Sequence, residues 1–72
     1  MTNEVMIQSL RQVQQVVAAA TACVGEIRVS DTQGAVADAR SILGLMSLDY
    51  SQPVRVQGAS AEEVQQVLHA LA

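Results

Sequence analysis

The chain has neither phenylalanine nor tryptophan, and Tyr50 is its only aromatic residue. Its core must therefore be aliphatic, drawn from Val, Leu, Ile, Met and Ala. Lysine is absent too: the basic side chains besides His69 are Arg11, Arg28, Arg40 and Arg55, and they are scattered against seven acids for a net charge of −3. Nucleic-acid binding requires a clustered basic footprint, and a polybasic membrane anchor requires a run of Lys or Arg, so both classes are excluded. Cys23 has no second cysteine to pair with, which points to a reducing compartment. Met1-Thr2-Asn3-Glu4 lacks the positive region and apolar run of a secretory signal. No stretch approaches the ~18 apolar residues of a membrane span. The expected location is the cytoplasm. One histidine and one cysteine leave no ligand set for a metal site, and no cofactor motif is present.

What is present is enough for one small domain, residues 1–72, with a core near the lower limit of sufficiency. Its central stretch is Asp38-Ala39-Arg40-Ser41-Ile42-Leu43-Gly44-Leu45-Met46-Ser47-Leu48-Asp49. Read as a helix of about two turns, it carries Ile42, Leu43, Leu45, Met46 and Leu48 almost all the way round, too many for a single buried stripe. Some of them must face water or a partner. The stretch is read as a contact surface, and the remainder as the scaffold that presents it.

Along the chain, Glu4 to Gln8 reads as a strand with Val5 and Ile7 on one face. Ser9 stands where an N-cap belongs, before Leu10, Val13, Val16, Val17 and Ala20 at helical spacing. That helix is expected to fray near Thr21 to Val24, where β-branched residues and Gly25 appear. Glu26 to Ser30 alternates with period two, and Asp31-Thr32-Gln33-Gly34 is turn chemistry leading to a return strand over Ala35 to Ala37. Pro53 ends the central stretch. Val54 to Gln57 alternates again, and Gly58 closes it. Ser60-Ala61-Glu62-Glu63 has the capping-box pattern, followed by Val64, Val67, Leu68 and Leu71 at helical spacing. His69 lies at the far end of this last helix, where it suits the dipole better than it suits catalysis.

The order is therefore β-α-β-β-α-β-α. For so short a chain it implies an α+β open-faced β-sandwich: a four-stranded antiparallel sheet covered on one face by helices, with Met6, Arg28 and Arg55 on the solvated face.

This order, with Ala39-Arg40-Ser41-Ile42-Leu43-Gly44-Leu45-Met46-Ser47-Leu48 at its centre, resembles HPr, the histidine-containing phosphocarrier family of the bacterial sugar phosphotransferase system. The local pattern is a basic residue followed by Ser-Ile-hydrophobic-Gly-hydrophobic-Met-Ser-Leu, leading into a strand and a final helix. The resemblance runs from about Glu26 to the end, and more loosely before that. It implies the HPr-like fold and an active histidine just before the first long helix, in the pattern His, any residue, Arg, Pro. This chain offers Ser9-Leu10-Arg11-Gln12 there. Arg11 matches; Ser9 stands in the histidine's place and Gln12 in the proline's.

The departure bears on the chemistry. A phosphohistidine passes its phosphoryl group on readily, whereas a serine hydroxyl needs a base to activate it and forms a stable ester. The resemblance also implies that Ile42, Leu43 and Met46 form the exposed patch that docks protein partners, phosphotransferase-system components or a regulatory kinase among them. It marks Ser41 as the position such a kinase phosphorylates in members of the Gram-positive type. From the residues themselves, Ser9 and Ser41 read as N-caps, Ser9 with Arg11 as an anion-binding helix start in second place.

Two functions follow. The first is an HPr-like protein-binding or regulatory module without the phosphoacceptor histidine and without enzymatic activity. The alternative is a working phosphocarrier with a non-standard acceptor, Ser9 or His69. A homodimer that buries the patch against itself is a third outcome.

Overall fold

The computed structural model describes residues 3–71. Its elements are β1 (Glu4–Val5), α1 (Leu10–Thr21), β2 (Ile27–Ser30), β3 (Val36–Asp38), α2 (Ile42–Met46), β4 (Val54–Gly58) and α3 (Ala61–Ala70). Period-two alternation sets the sheet: Ile27, Val29, Ala37, Val54 and Val56 are buried, while Arg28, Val36, Asp38, Arg55 and Gln57 between them are exposed. All pairings are antiparallel in the order β1-β4-β2-β3, with Val29 opposite both Ala37 and Val56. Strands β1 and β3 are the two edges, so the sheet is not closed into a barrel. The molecule is thus a small α+β domain in which a four-stranded antiparallel sheet packs against three helices.

Helix α1 contributes Val13, Val16 and Ala20 to the core, α3 contributes Val64 and Val67, and α2 contributes Leu45. Among the described residues every buried side chain is aliphatic or Cys23, and none is polar or charged. Met6 and Met46 are both exposed, as expected for the solvated sheet face and for the patch, so neither contributes to the core.

Strand β1 is shorter than the alternation predicts. Its pairing with β4 ends at Val5 opposite Val54, because β4 itself begins at Val54, directly after Pro53. Ile7 is nonetheless buried just beyond the strand. Strand β3 lies one residue later than predicted, because Asp31 Oδ1 accepts from both the Gln33 and Ala35 amides (2.9 Å each) and holds Ala35 in the turn. Gly34, with φ of 88°, supplies the left-handed residue this turn needs.

The central stretch forms a helix of five residues, somewhat shorter than the two turns predicted. Asp38 ends β3, and the amide of buried Ala39 donates to Ile27 O (2.9 Å), so α2 begins only at Ile42. At its other end, the Ser47 hydroxyl donates to Gly44 O (2.7 Å). Gly44 permits the close approach of α2 to β3: a Cβ there would lie 3.3 Å from Ala37 Cβ.

The capping box of α3 is half formed. Ser60 Oγ accepts from the Glu63 amide (3.3 Å), but the Glu63 carboxylate does not return to Ser60. It accepts instead from the amides of Val24 (2.7 Å) and Gly25 (3.0 Å), across the loop that follows α1. The same loop is held from the other side by Arg40. Its guanidinium donates to the carbonyls of Ala20 (3.2 Å), Cys23 (2.7 Å) and Gly25 (3.1 Å). An anion from α3 and a cation preceding α2 thus satisfy the backbone groups where α1 ends, the work of a C-cap done by distant side chains.

Candidate docking site

The two ends of α2 fix its orientation. Ser41 is its N-cap, accepting from the Gly44 amide at 3.1 Å, and is exposed. Beyond its C-terminus, the Tyr50 hydroxyl turns back and donates to Leu45 O. Held this way, α2 points Leu45 into the core, followed closely in sequence by buried Leu48. It turns Ile42, Leu43 and Met46 outward at 37%, 81% and 56% exposure. Positions 42, 43 and 46 adjoin on a helix surface, so these three side chains form one apolar patch. These are the three residues that the resemblance implies to be exposed.

Beside Met46 lies a groove of about 530 Å³, lined by Ile7, Leu10 and Val13 from in and before α1 and by Met46 and Tyr50 from in and after α2. Gln8 and Ser9 border it, and no charged residue lines it. The groove brings the start of α1 against α2, so Ser9 and Met46, which are 37 positions apart in the chain, share one depression. Sequence reasoning missed this groove because it assigned Leu10 to the core stripe of α1. In the first turn that stripe borders the groove, and Leu10 is 52% exposed.

Ser9 is the N-cap of α1: its Oγ accepts from the Gln12 amide at 3.3 Å. Gln12 in turn reaches back, its Oε1 accepting from the Gln8 amide at 2.5 Å. This is a Ser-x-x-Gln capping box displaced by one residue, and it explains Ser9 and Gln12 by backbone satisfaction. The carboxamide and the hydroxyl occupy amides that a bound anion would use at this helix start. Arg11 is exposed in the first turn, where a cation opposes the helix dipole.

His69 is in the last turn of α3 and lines a separate shallow recess with Glu62 and Gln66, so the structure does not bring it to the groove. Cys23 is buried, as a small hydrophobe would be. Among the described residues no three of His, Cys, Asp and Glu gather to hold a metal ion. No helix of the described residues is long and apolar enough to cross a membrane.

The acids at turns have structural work. Asp31 shares its carboxylate between the hairpin turn and the Asp49 amide (Oδ2, 2.9 Å), and these hydrogen bonds, the one from Asp49 first, hold its pKa below the usual 3.8. Asp49 accepts from the Ser51 hydroxyl (2.7 Å) and amide (2.9 Å), which lowers its pKa as well. Burial raises the Tyr50 phenol above 10.0, with the Asp31 charge adding to it. Tyr50 packs against the core, whereas Pro53 is exposed and lines a separate recess with Asp31 and Arg55.

Comparison with protein-family models, with curated proteins and with solved structures gives no match.

Proposed function

We propose that this chain is an HPr-like protein-binding or regulatory module that lacks the phosphoacceptor histidine, folded as the open-faced β-sandwich of that type. It docks a protein partner through Ile42, Leu43 and Met46. The observation that carries this reading is α2 itself: three of its five residues carry exposed apolar side chains, and the helix is braced at both ends beside an uncharged groove. Met46 joins the patch to the groove, and its flexible thioether suits a surface that adapts to what it binds. Support for the HPr type comes from the element order and from the Ala39 to Leu48 pattern, with Arg40, Ser41 and Gly44 at the start of α2.

On this reading the partners are phosphotransferase-system components or a regulatory kinase in the cytoplasm, and the chain binds without catalysing. Ser41 is an accessible hydroxyl beside the patch, so a phosphate there would place about two negative charges next to Ile42 and change what the patch accepts. Ser9 is less suited to carry a phosphoryl group: it serves as a helix cap, and no base stands among the groove's lining residues to activate it.

The test is to incubate the protein with phosphoenolpyruvate, the general phosphotransferase enzyme and an HPr control, and to record intact mass. The proposal expects the control alone to gain a phosphoryl group. A gain on this chain that is lost in acid would assign phosphotransfer to His69, and an acid-stable gain would assign it to a serine; either replaces the proposal.

A further inference from the structure

The hydrogen bonds of Asp31 reach beyond its own turn. Oδ1 accepts from Gln33 and Ala35 and so closes the β2–β3 hairpin, while Oδ2 accepts from the amide of Asp49, 18 positions on. Asp49 is the residue before Tyr50, and Tyr50 is a wall of the groove. The two oxygens of one carboxylate therefore tie a surface turn to the loop that carries that wall. Asp31 also lines a second recess, of about 220 Å³, together with Glu4, Thr32, Pro53 and Arg55. It stands between two depressions, contributing directly to one and positioning the wall of the other.

We propose that Asp31 is a latch: by holding the Asp49 amide it fixes the position of Tyr50 jointly with the bond from the Tyr50 hydroxyl to Leu45 O, and loss of the Asp49 bond loosens the Tyr50 wall of the groove while the hairpin turn stays closed. The contact is single on the loop side and double on the turn side, so the loop is the part that yields. Because coupling free energies are reciprocal, whatever engages the Asp31 carboxylate from the second recess changes the groove, and whatever fills the groove changes Asp31. The charged and titratable groups that face Asp31 are Asp49 and Tyr50 on the α2–β4 loop, Arg55 on β4 and Glu4 on β1. Hydrogen bonding holds the carboxylate ionised through the neutral range, so the latch is closed there and opens only in acid, below the ordinary carboxylate range. The device concerns the geometry of the groove and stands whether or not the docking proposal does.

Asp31→Asn separates the two roles. The amide oxygen retains an acceptor for Gln33 and Ala35, whereas Nδ2 has only donors to offer the Asp49 amide. Two readouts follow the loop: amide hydrogen exchange at Asp49 by NMR, and acrylamide quenching of Tyr50, whose fluorescence is free of any other aromatic. The latch predicts exchange at Asp49 faster by tenfold or more and stronger Tyr50 quenching, with Ala35 unchanged. Equal loss of protection at all three amides would mean general destabilisation and would overturn the proposal, as would unchanged Asp49 protection. The wild-type chain titrated from neutral pH into acid gives a second measurement that needs no variant. Asp49 and Tyr50 should respond before the core amides do, and a simultaneous response overturns the latch.

Discussion

Replacing Glu63 with alanine removes both hydrogen bonds that its carboxylate accepts, from Val24 (2.7 Å) and Gly25 (3.0 Å). Bonds to a charged group contribute roughly 1.5–3 kcal/mol each when shielded from water. Here Val24 is exposed and water can replace the carboxylate at its amide, whereas Gly25 is half-buried. The lower end of the range applies, for a total of about 2–3 kcal/mol. In a domain this short, ~1 kcal/mol moves the melting temperature by about 4–8 °C, so Glu63→Ala should lower it by roughly 10–20 °C. Glu63→Gln keeps one acceptor oxygen and should lose about half as much. Thermal and urea unfolding followed by far-ultraviolet circular dichroism reads both variants. Arg40 grips the carbonyl of Gly25 while Glu63 takes its amide, so a double-mutant cycle with Arg40→Met should show a coupling of about 0.5 kcal/mol or more. If Glu63→Ala costs less than about 0.5 kcal/mol, the value of an ordinary surface change, the clamp does not hold the end of α1 and the reasoning fails.

Gly58→Ala should destabilise by roughly 1–3 kcal/mol, since the added Cβ would stand 2.7 Å from Ile27 Cδ1 and 3.2 Å from Glu26 O; a neutral urea midpoint would count against the packing described. Tyr50→Phe removes the hydroxyl bond to Leu45 O and should cost about 0.5–1.5 kcal/mol by the same denaturation assay. The folded pKa values of Asp31 and Asp49 lie below 3.8, so their contribution to stability is present above that unfolded value and is lost as pH falls through the folded values. The urea midpoint should therefore show no step from these two groups between pH 5 and 8, and should fall below about pH 4; a step at neutral pH assigned to either acid would contradict the hydrogen bonds seen.

The sheet and the two longer helices are legible in the sequence because each carries its own local signal. Ile27 and Val29 alternate with Arg28, and Val64 and Val67 recur at helical spacing after the Ser60 cap. The turn at Gly34 announces itself in the same way. What the sequence hides depends on partners far along the chain. Glu63 carries the signature of a capping box, yet its carboxylate serves a loop 38 and 39 positions earlier. Arg40 enters the sequence reading only as the basic residue of the central pattern, yet its guanidinium holds the carbonyls at the end of α1. That some of Ile42, Leu43, Leu45, Met46 and Leu48 must be exposed was readable from excess hydrophobicity, because a helix that short cannot bury so many apolar side chains on one side; the choice of Ile42, Leu43 and Met46 came from the resemblance. The groove was not readable, because Leu10 continues the α1 stripe in sequence and only the arrival of Met46 and Tyr50 opposite it makes a depression there.

The docking claim meets its most direct test in an NMR titration of the ¹⁵N-labelled chain with the general phosphotransferase enzyme, repeated with Met46→Glu and Leu43→Glu. The account predicts shifts concentrated at Leu10, Ile42, Leu43 and Met46, abolished by either substitution in a chain that remains folded. Shifts confined to the opposite sheet face, at Met6, Arg28 and Arg55, or binding that survives both substitutions, would contradict it.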